Sequence, residues 1–179
     1  MRKIFALLLL LATGASAREK LYADANMAHL GPVALRKLAS LKAAGVTEIL
    51  VPTWFPSDLQ NGRVKLDTKD TRWGPNLEIV YPSNTRHRSL LVRGTGGGVG
   101  GPGPDYSIPV QNPTLGKIDL WYCDKSPMAY LYCMPWWDMK NPHGDRNFLI
   151  DVDTEDRSHA GLSRPEMIEI VRSLRYFHI

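Results

Sequence analysis

The feature that most constrains this chain lies near its end, where Met167, Ile170, Val171 and Leu174 recur at i, i+3, i+4 and i+7 and so line one side of an α-helix. Ser163 precedes that stripe and Glu166 stands three residues on, the pattern of a capping box that satisfies the open amides of a helix start. A helix with one apolar stripe has to bury it against another element. The residues upstream supply mostly short strands, so the expected fold class is α+β. The sequence predicts a mainly antiparallel sheet of about five to seven strands, with an N-terminal and a C-terminal helix packed on it.

The N-terminal helix is expected between Gly31-Pro32 and Gly45, where Leu35, Leu38 and Leu41 recur every third residue with Lys37 and Lys42 between them. Proline suits the first helical position and glycine the stop. Residues 46–51 are rich in branched side chains and read as a strand closed by Pro52 and Pro56. Residues 57–76 read as polar and turn-rich. Strands are expected at 77–81 and 89–93, around a Pro82-Ser83-Asn84 turn, and again at 106–110, 117–123, 129–134 and 147–152.

The chain opens with Arg2 and Lys3, an apolar run over residues 4–12, and Ala15-Ser16-Ala17. A basic start, a run too short to cross a bilayer of ~30 Å as a helix, and a small-x-small ending are the parts of a cleavable secretory signal. Cleavage is expected after Ala17. Residues 1–17 then form a signal peptide, and residues 18–179 a single exported α+β domain, periplasmic or secreted. No cysteine sits at that junction to carry a lipid anchor, so no stable membrane anchor is expected after cleavage. Cleavage also removes two positive charges from a formal net charge of +4, and nucleic acid is not an implied partner.

Both cysteines, Cys123 and Cys133, lie beyond the signal. An exported chain meets an oxidising compartment, so the pair is expected to form one disulfide. If the strands at 117–123 and 129–134 pair as a hairpin, a five-residue turn would oppose Cys123 to Ala129. A wider loop centred on Met128 would set the two cysteines opposite each other, and a bridge favours that wider loop.

Four patterns invite a chemical reading, and each has a structural alternative. Gly96, Gly98 and Gly101 spell a formal G-x-G-x-x-G, but Pro102-Gly103-Pro104 prevents the helix that would meet a phosphate, so residues 94–104 read as a surface loop. Asp151, Asp153, Glu155 and Asp156 offer calcium-type oxygens without the glycine and terminal bidentate Glu of an EF-type loop, and read as a solvated strand end. No metal site and no cofactor is expected. The histidines at 29, 87, 143, 159 and 178 are scattered; Asn141-Pro142-His143-Gly144-Asp145 is the most site-like context. Aromatics gather at Trp121, Tyr122, Tyr130, Tyr132, Trp136 and Trp137. Cross-strand pairing is the commoner explanation of such a cluster; an exposed strip of Trp121, Tyr130, Tyr132, Trp136 and Trp137 is the alternative, and would stack on a sugar or grip a peptide.

Two segments carry a family resemblance. Ile49-Leu50-Val51-Pro52-Thr53-Trp54-Phe55-Pro56 resembles the V-P-T-x-L-P opening of an uncharacterised bacterial extracytoplasmic domain family. The segment Ala160-Gly161-Leu162-Ser163-Arg164-Pro165-Glu166-Met167-Ile168-Glu169-Ile170-Val171-Arg172-Ser173-Leu174 resembles its L-S-x-E-E-L closing helix. Pro165 stands where that helix usually has an acidic residue, and the glycine common after the opening is not at Ser57 or Asp58. The family occurs as secreted or anchored proteins and on the outer side of some anti-sigma factors. The resemblance implies an extracytoplasmic sheet with a C-terminal helix, and it brings no catalytic residues.

The functional expectation is a non-catalytic module of the cell envelope that binds a peptide, a glycan or an envelope protein. The alternative is an envelope hydrolase using His143 or His159 with nearby carboxylates such as Asp145, Asp151 or Asp153.

Overall fold

The computed structural model describes residues 20–43, 45–67, 76–85, 88–95, 106–123, 131–133, 139–141, 144–153 and 162–179. The expected signal segment, with its apolar run, lies outside them. Among the described residues no helix is long and apolar enough to cross a membrane.

The first helix, α1 (Pro32–Lys42), begins at its proline and buries Ala34, Leu38 and Leu41, with Leu35 packed partly against the core. Gly45 adopts a left-handed φ of 79°, and the Val46 amide donates back to the Leu41 carbonyl at 3.2 Å. This stop turns the chain directly into β1 (Glu48–Val51).

There follow β2 (Arg63–Asp67), β3 (Asn76–Pro82), β4 (Ser89–Thr95), β5 (Tyr106–Asn112), β6 (Gly116–Cys123), β7 (Leu131–Cys133), β8 (Met139–Asn141) and β9 (Gly144–Asp153). The chain then forms α2 (Arg164–Ser173) and finishes in β10 (Arg175–His178). Every pairing between these strands is antiparallel. The fold is α+β, with a helix near each end of the described chain. The strands are shared among three ladders rather than gathered in one sheet: β2-β3-β4-β9-β8, β5-β6-β7 and β1-β10.

The expected strands are all present, and three more accompany them. β2 falls in the stretch read as polar and turn-rich. Its charged residues Arg63 and Lys65 alternate with Val64 and Leu66, and Val64 is buried at 3% exposure. β8 is a three-residue edge, and β10 is a short strand that pairs with β1 and so brings the last residues of the chain against residues 48–51.

α1 packs on β2, and α2 packs on β5 and β6. Met167, Ile170, Val171 and Leu174 are each fully buried, so the predicted stripe is the face that meets the sheet. The capping box forms as expected: the Glu166 amide donates to Ser163 Oγ at 3.4 Å, and the Ser163 amide donates to Glu166 Oε2 at 2.7 Å. At the other end of α2 the buried amide of Asn112, at the β5–β6 turn, lies 2.8 Å from the Val171 carbonyl and 3.1 Å from that of Leu174. Its Oδ1 accepts from the amides of Thr114 and Leu115, both at 2.8 Å. One side chain thus shapes the hairpin turn and closes the helix.

The register of β6 against β7 pairs Trp121 with Cys133, Tyr122 with Tyr132 and Cys123 with Leu131. This corrects the direct opposition of the cysteines: Cys133 sits two register positions from the residue facing Cys123. The hairpin itself forms, around a slightly tighter connection than a loop centred on Met128.

Candidate functional site

A concavity of the described surface has a clear structural origin. Asp24 Oδ1 accepts from the Met27 amide at 2.8 Å, and the Leu30 amide donates to the Ala25 carbonyl at 2.8 Å. These bonds fold residues 24–30 into a turn that delivers the chain to α1, with His29 held at a φ of 50°. The His29 ring stacks on Phe55 at a centroid distance of 4.3 Å, and Phe55 lies 4.8 Å from Tyr81. Tyr81 is fully buried and donates its hydroxyl to the Ala28 carbonyl at 3.1 Å; burial pushes the ionisation of that hydroxyl well up.

Against this aromatic stack runs the segment that enters β2. The Gly62 amide donates to the His29 carbonyl at 2.8 Å. A Cβ at position 62 would sit 2.8 Å from Tyr81 Cε1 and 2.9 Å from Ile79 Cγ2, so only glycine lets the backbone lie this close. Residues 60–63 therefore run beside residues 31–34 and leave an open groove of about 540 Å³ between them.

The groove is mostly apolar with a polar rim. Val33 is 60% exposed, and Pro32, Gln60, Asn61 and Arg63 are also exposed. No acidic residue lines it, and none lies in the first turn of α1, whose N-cap Gly31 offers no side-chain bond. Arg63 has no ion-pair partner among the described residues, nor has Arg36, one helical turn beyond Val33. Lys37 spans from the helix to β2, donating to the Val64 carbonyl at 3.0 Å.

A second cluster is charged and largely enclosed. The Arg88 side chain is 3% exposed and bonds two carboxylates: its Nε donates to Asp58 Oδ2 at 3.0 Å, and Nη1 donates to Glu166 Oε2 at 3.1 Å. Ser83 Oγ donates to Asp58 Oδ2 at 2.7 Å. The Arg88 hydrogen bonds hold the Asp58 carboxyl down at about 2 against the opposing effect of burial. For Glu166 burial pushes upward, but bonds from Arg88 and Ser163 prevail and lower it. Arg88 thereby ties the turn after the Pro56 segment, the β3–β4 connection and the start of α2 into one unit. Its carboxylates are occupied, which is the arrangement of a structural clasp rather than of a proton donor awaiting substrate.

A third cluster fastens the first described residues to the sheet. Tyr22 bridges to Tyr176 in parallel fashion, with the Ala23 amide donating to the Tyr176 carbonyl at 2.8 Å and the Tyr176 amide donating to the Leu21 carbonyl at 3.0 Å. Glu48 accepts from Lys20 Nζ at 2.8 Å and from the Tyr22 hydroxyl at 2.6 Å. Burial raises the Glu48 carboxyl, but those two bonds carry it below its ordinary value. The Tyr22 and His178 rings stack at 4.1 Å, and Lys20 Nζ lies 4.5 Å from the centre of the Tyr176 ring.

The residues singled out from sequence fall differently. Trp121 lies in β6 and Tyr132 in β7, one level apart: Trp121 faces Cys133 and Ser107, whereas Tyr132 faces Tyr122, which faces Tyr106 on β5. The register therefore sets three tyrosines at one level across this sheet. Tyr130, Trp136 and Trp137 lie outside the described residues, as do His87, His143, His159, Glu155, Asp156 and residues 96–105. Asp151 and Asp153 occupy β9 opposite Leu91 and Ser89, and Asp145 faces Lys140. Among the described residues no group of three or more His, Cys, Asp or Glu side chains is placed to hold a metal ion.

The groove was missed in sequence because its two walls are about thirty positions apart. One signal pointed there: Asn61-Gly62 marks a site of close backbone approach, in a segment otherwise read only as turn-rich. Compared with known families, curated proteins and solved structures, the chain gives no match.

Proposed function

We propose that this chain acts as an exported, non-catalytic binding module of the cell envelope. The observation that carries the reading is the groove between residues 31–34 and 60–63, a built concavity with an apolar centre and polar rim, seated on the His29–Phe55–Tyr81 stack. Sites of this kind combine apolar surface with a few placed polar groups. Export rests on the N-terminal signal pattern.

The test pairs location with binding. Intact mass of the exported protein should begin at Arg18, in the soluble fraction; a species that keeps Met1 in the membrane fraction overturns the export reading. Cell-wall glycopeptide fragments and short peptides are then titrated into the 15N-labelled protein. Binding that shifts the amides of residues 31–34 and 60–63, and survives in His143→Ala and His159→Ala, supports a binding module. Turnover of those fragments that vanishes in either histidine variant replaces it with the hydrolase.

A further inference from the structure

The groove's surroundings specify what it accepts. Resting on the reading of the groove as a binding surface, we propose that its occupant is a short extended segment of a partner protein with acidic residues alternating with apolar ones. Charge complementarity is the first argument. Arg63 stands on one wall and Arg36 beyond the other, neither with an ion-pair partner among the described residues, and no carboxylate lines the space between. Lys37, whose ammonium gives one hydrogen bond to the Val64 carbonyl, keeps further N–H donors for an incoming acceptor. A neutral or basic segment would leave these cations unmatched, whereas carboxylates pair with them across the rim.

The apolar part of the occupant follows from Val33. A valine 60% exposed on the first turn of a helix, beside an exposed Pro32, offers surface that an aliphatic side chain covers favourably. Size sets the length: about 540 Å³ falls in the range of ligand pockets, room for a few residues of a chain.

The mode of recognition is also constrained. β2 is the edge of its ladder, and edges commonly recruit peptides by adding a strand. Here that edge is already engaged beside the groove, where the Gly62 amide bonds the His29 carbonyl and the Val64 carbonyl accepts from Lys37. Specificity therefore comes from side chains: carboxylates to Arg63, Arg36 and Lys37, and backbone amides of the peptide to Gln60 and Asn61, whose amide groups both donate and accept.

The test uses the full mature chain and three capped peptides of equal length that alternate valine with glutamate, with glutamine or with lysine. The expected result is that the glutamate peptide shifts the amides of residues 31–34 and 60–63. It should bind about tenfold more weakly to Arg63→Glu and weaken steadily as salt rises, as rim ion pairs do. The fold of Arg63→Glu is checked by its unchanged amide spectrum away from the groove, and Val33→Asp supplies a second variant that should weaken binding. Equal binding of the glutamine peptide, or tighter binding of the lysine peptide, overturns the acidic partner while leaving the groove a peptide site. Absence of groove shifts with all three peptides overturns the reading of the groove itself. Salt-sensitive self-association of the protein alone, abolished by Arg63→Glu, assigns the groove to a second copy of this chain and overturns the proposal.

Discussion

Thr53 and Ser173, 120 positions apart, are joined by two hydrogen bonds that Thr53 donates: its hydroxyl to the Ser173 carbonyl at 2.8 Å, and its amide to Ser173 Oγ at 3.1 Å. The Trp54 amide donates to the same Oγ at 3.1 Å, and that hydroxyl donates in turn to the Ile170 carbonyl at 2.8 Å. The exit of β1 is thus sewn to the last turn of α2. The two segments, 120 positions apart in sequence, are in direct contact in the fold.

Ser173→Ala is expected to destabilise the domain by about 1–3 kcal/mol, because it leaves the amides of Thr53 and Trp54 without their acceptor in a partly buried place. Ser173 is 8% exposed, so water does not readily replace the hydroxyl. Urea denaturation of Ser173→Ala, Thr53→Val and the double variant checks it. Strict additivity of the two single changes would show that the pair does not act as one clamp.

The Arg88 clasp gives the fold an acid limit. Asp58 has its carboxyl depressed from an ordinary 3.8 to about 2, so its contribution is fully present above pH 4 and is lost as pH falls through about 2. Glu166 is lowered as well and adds to the same loss at low pH. Asp58→Asn should therefore be less stable than the parent at neutral pH, with the gap closing between pH 4 and pH 2. Thermal unfolding across that range reads it, and a gap independent of pH would break the link to this ion pair. Removing the cation is worse: Arg88→Met leaves two partly buried carboxylates facing each other, at a cost of about 3 kcal/mol.

Leu174 closes α2 with its side chain fully buried. Leu174→Ala is expected to cost about 2–5 kcal/mol, the range for truncating a packed leucine. A chemical-denaturation midpoint that barely moves would mean that the helix face is not part of the core.

For the cysteines the register has a definite consequence. Cys133 lies diagonally across from Cys123, and such positions have Cα atoms about 7–8 Å apart. Disulfides span up to roughly 7 Å, so closing one draws the strand ends together. The exported protein, denatured without reductant, is expected to show no reactive thiol, and reduction should lower its stability by less than the ~2–3 kcal/mol of an unstrained short loop. Two titratable thiols in that sample would rule the bridge out.

Much of the fold was legible because its signals are local. The stripe Met167–Ile170–Val171–Leu174, the Ser163/Glu166 box and the Pro32 and Gly45 punctuation each lie within one or two turns of chain. β2 was missed: Val64 and Leu66 alternate with charges, but the surrounding turn residues masked this five-residue strand. β10 carried no comparable signal. Arg175-Tyr176-Phe177-His178 has only four residues, and its strand character comes from lying between β1 and residues 20–23.

By itself the sequence determined the class of fold, the start of both helices, seven of the strands and the pattern of an export signal, since each depends on residues that interact along a short stretch of chain. Only the tertiary structure decided the division into three ladders, the offset of the cysteine register, the Arg88 clasp and the groove beside Gly62. The clasp and the Thr53–Ser173 bonds join residues thirty to 120 positions apart, as in Arg88 with Asp58 and Thr53 with Ser173. Partners at that separation are chosen by which buried faces and unpaired polar groups meet when the core closes, and no local periodicity records that choice.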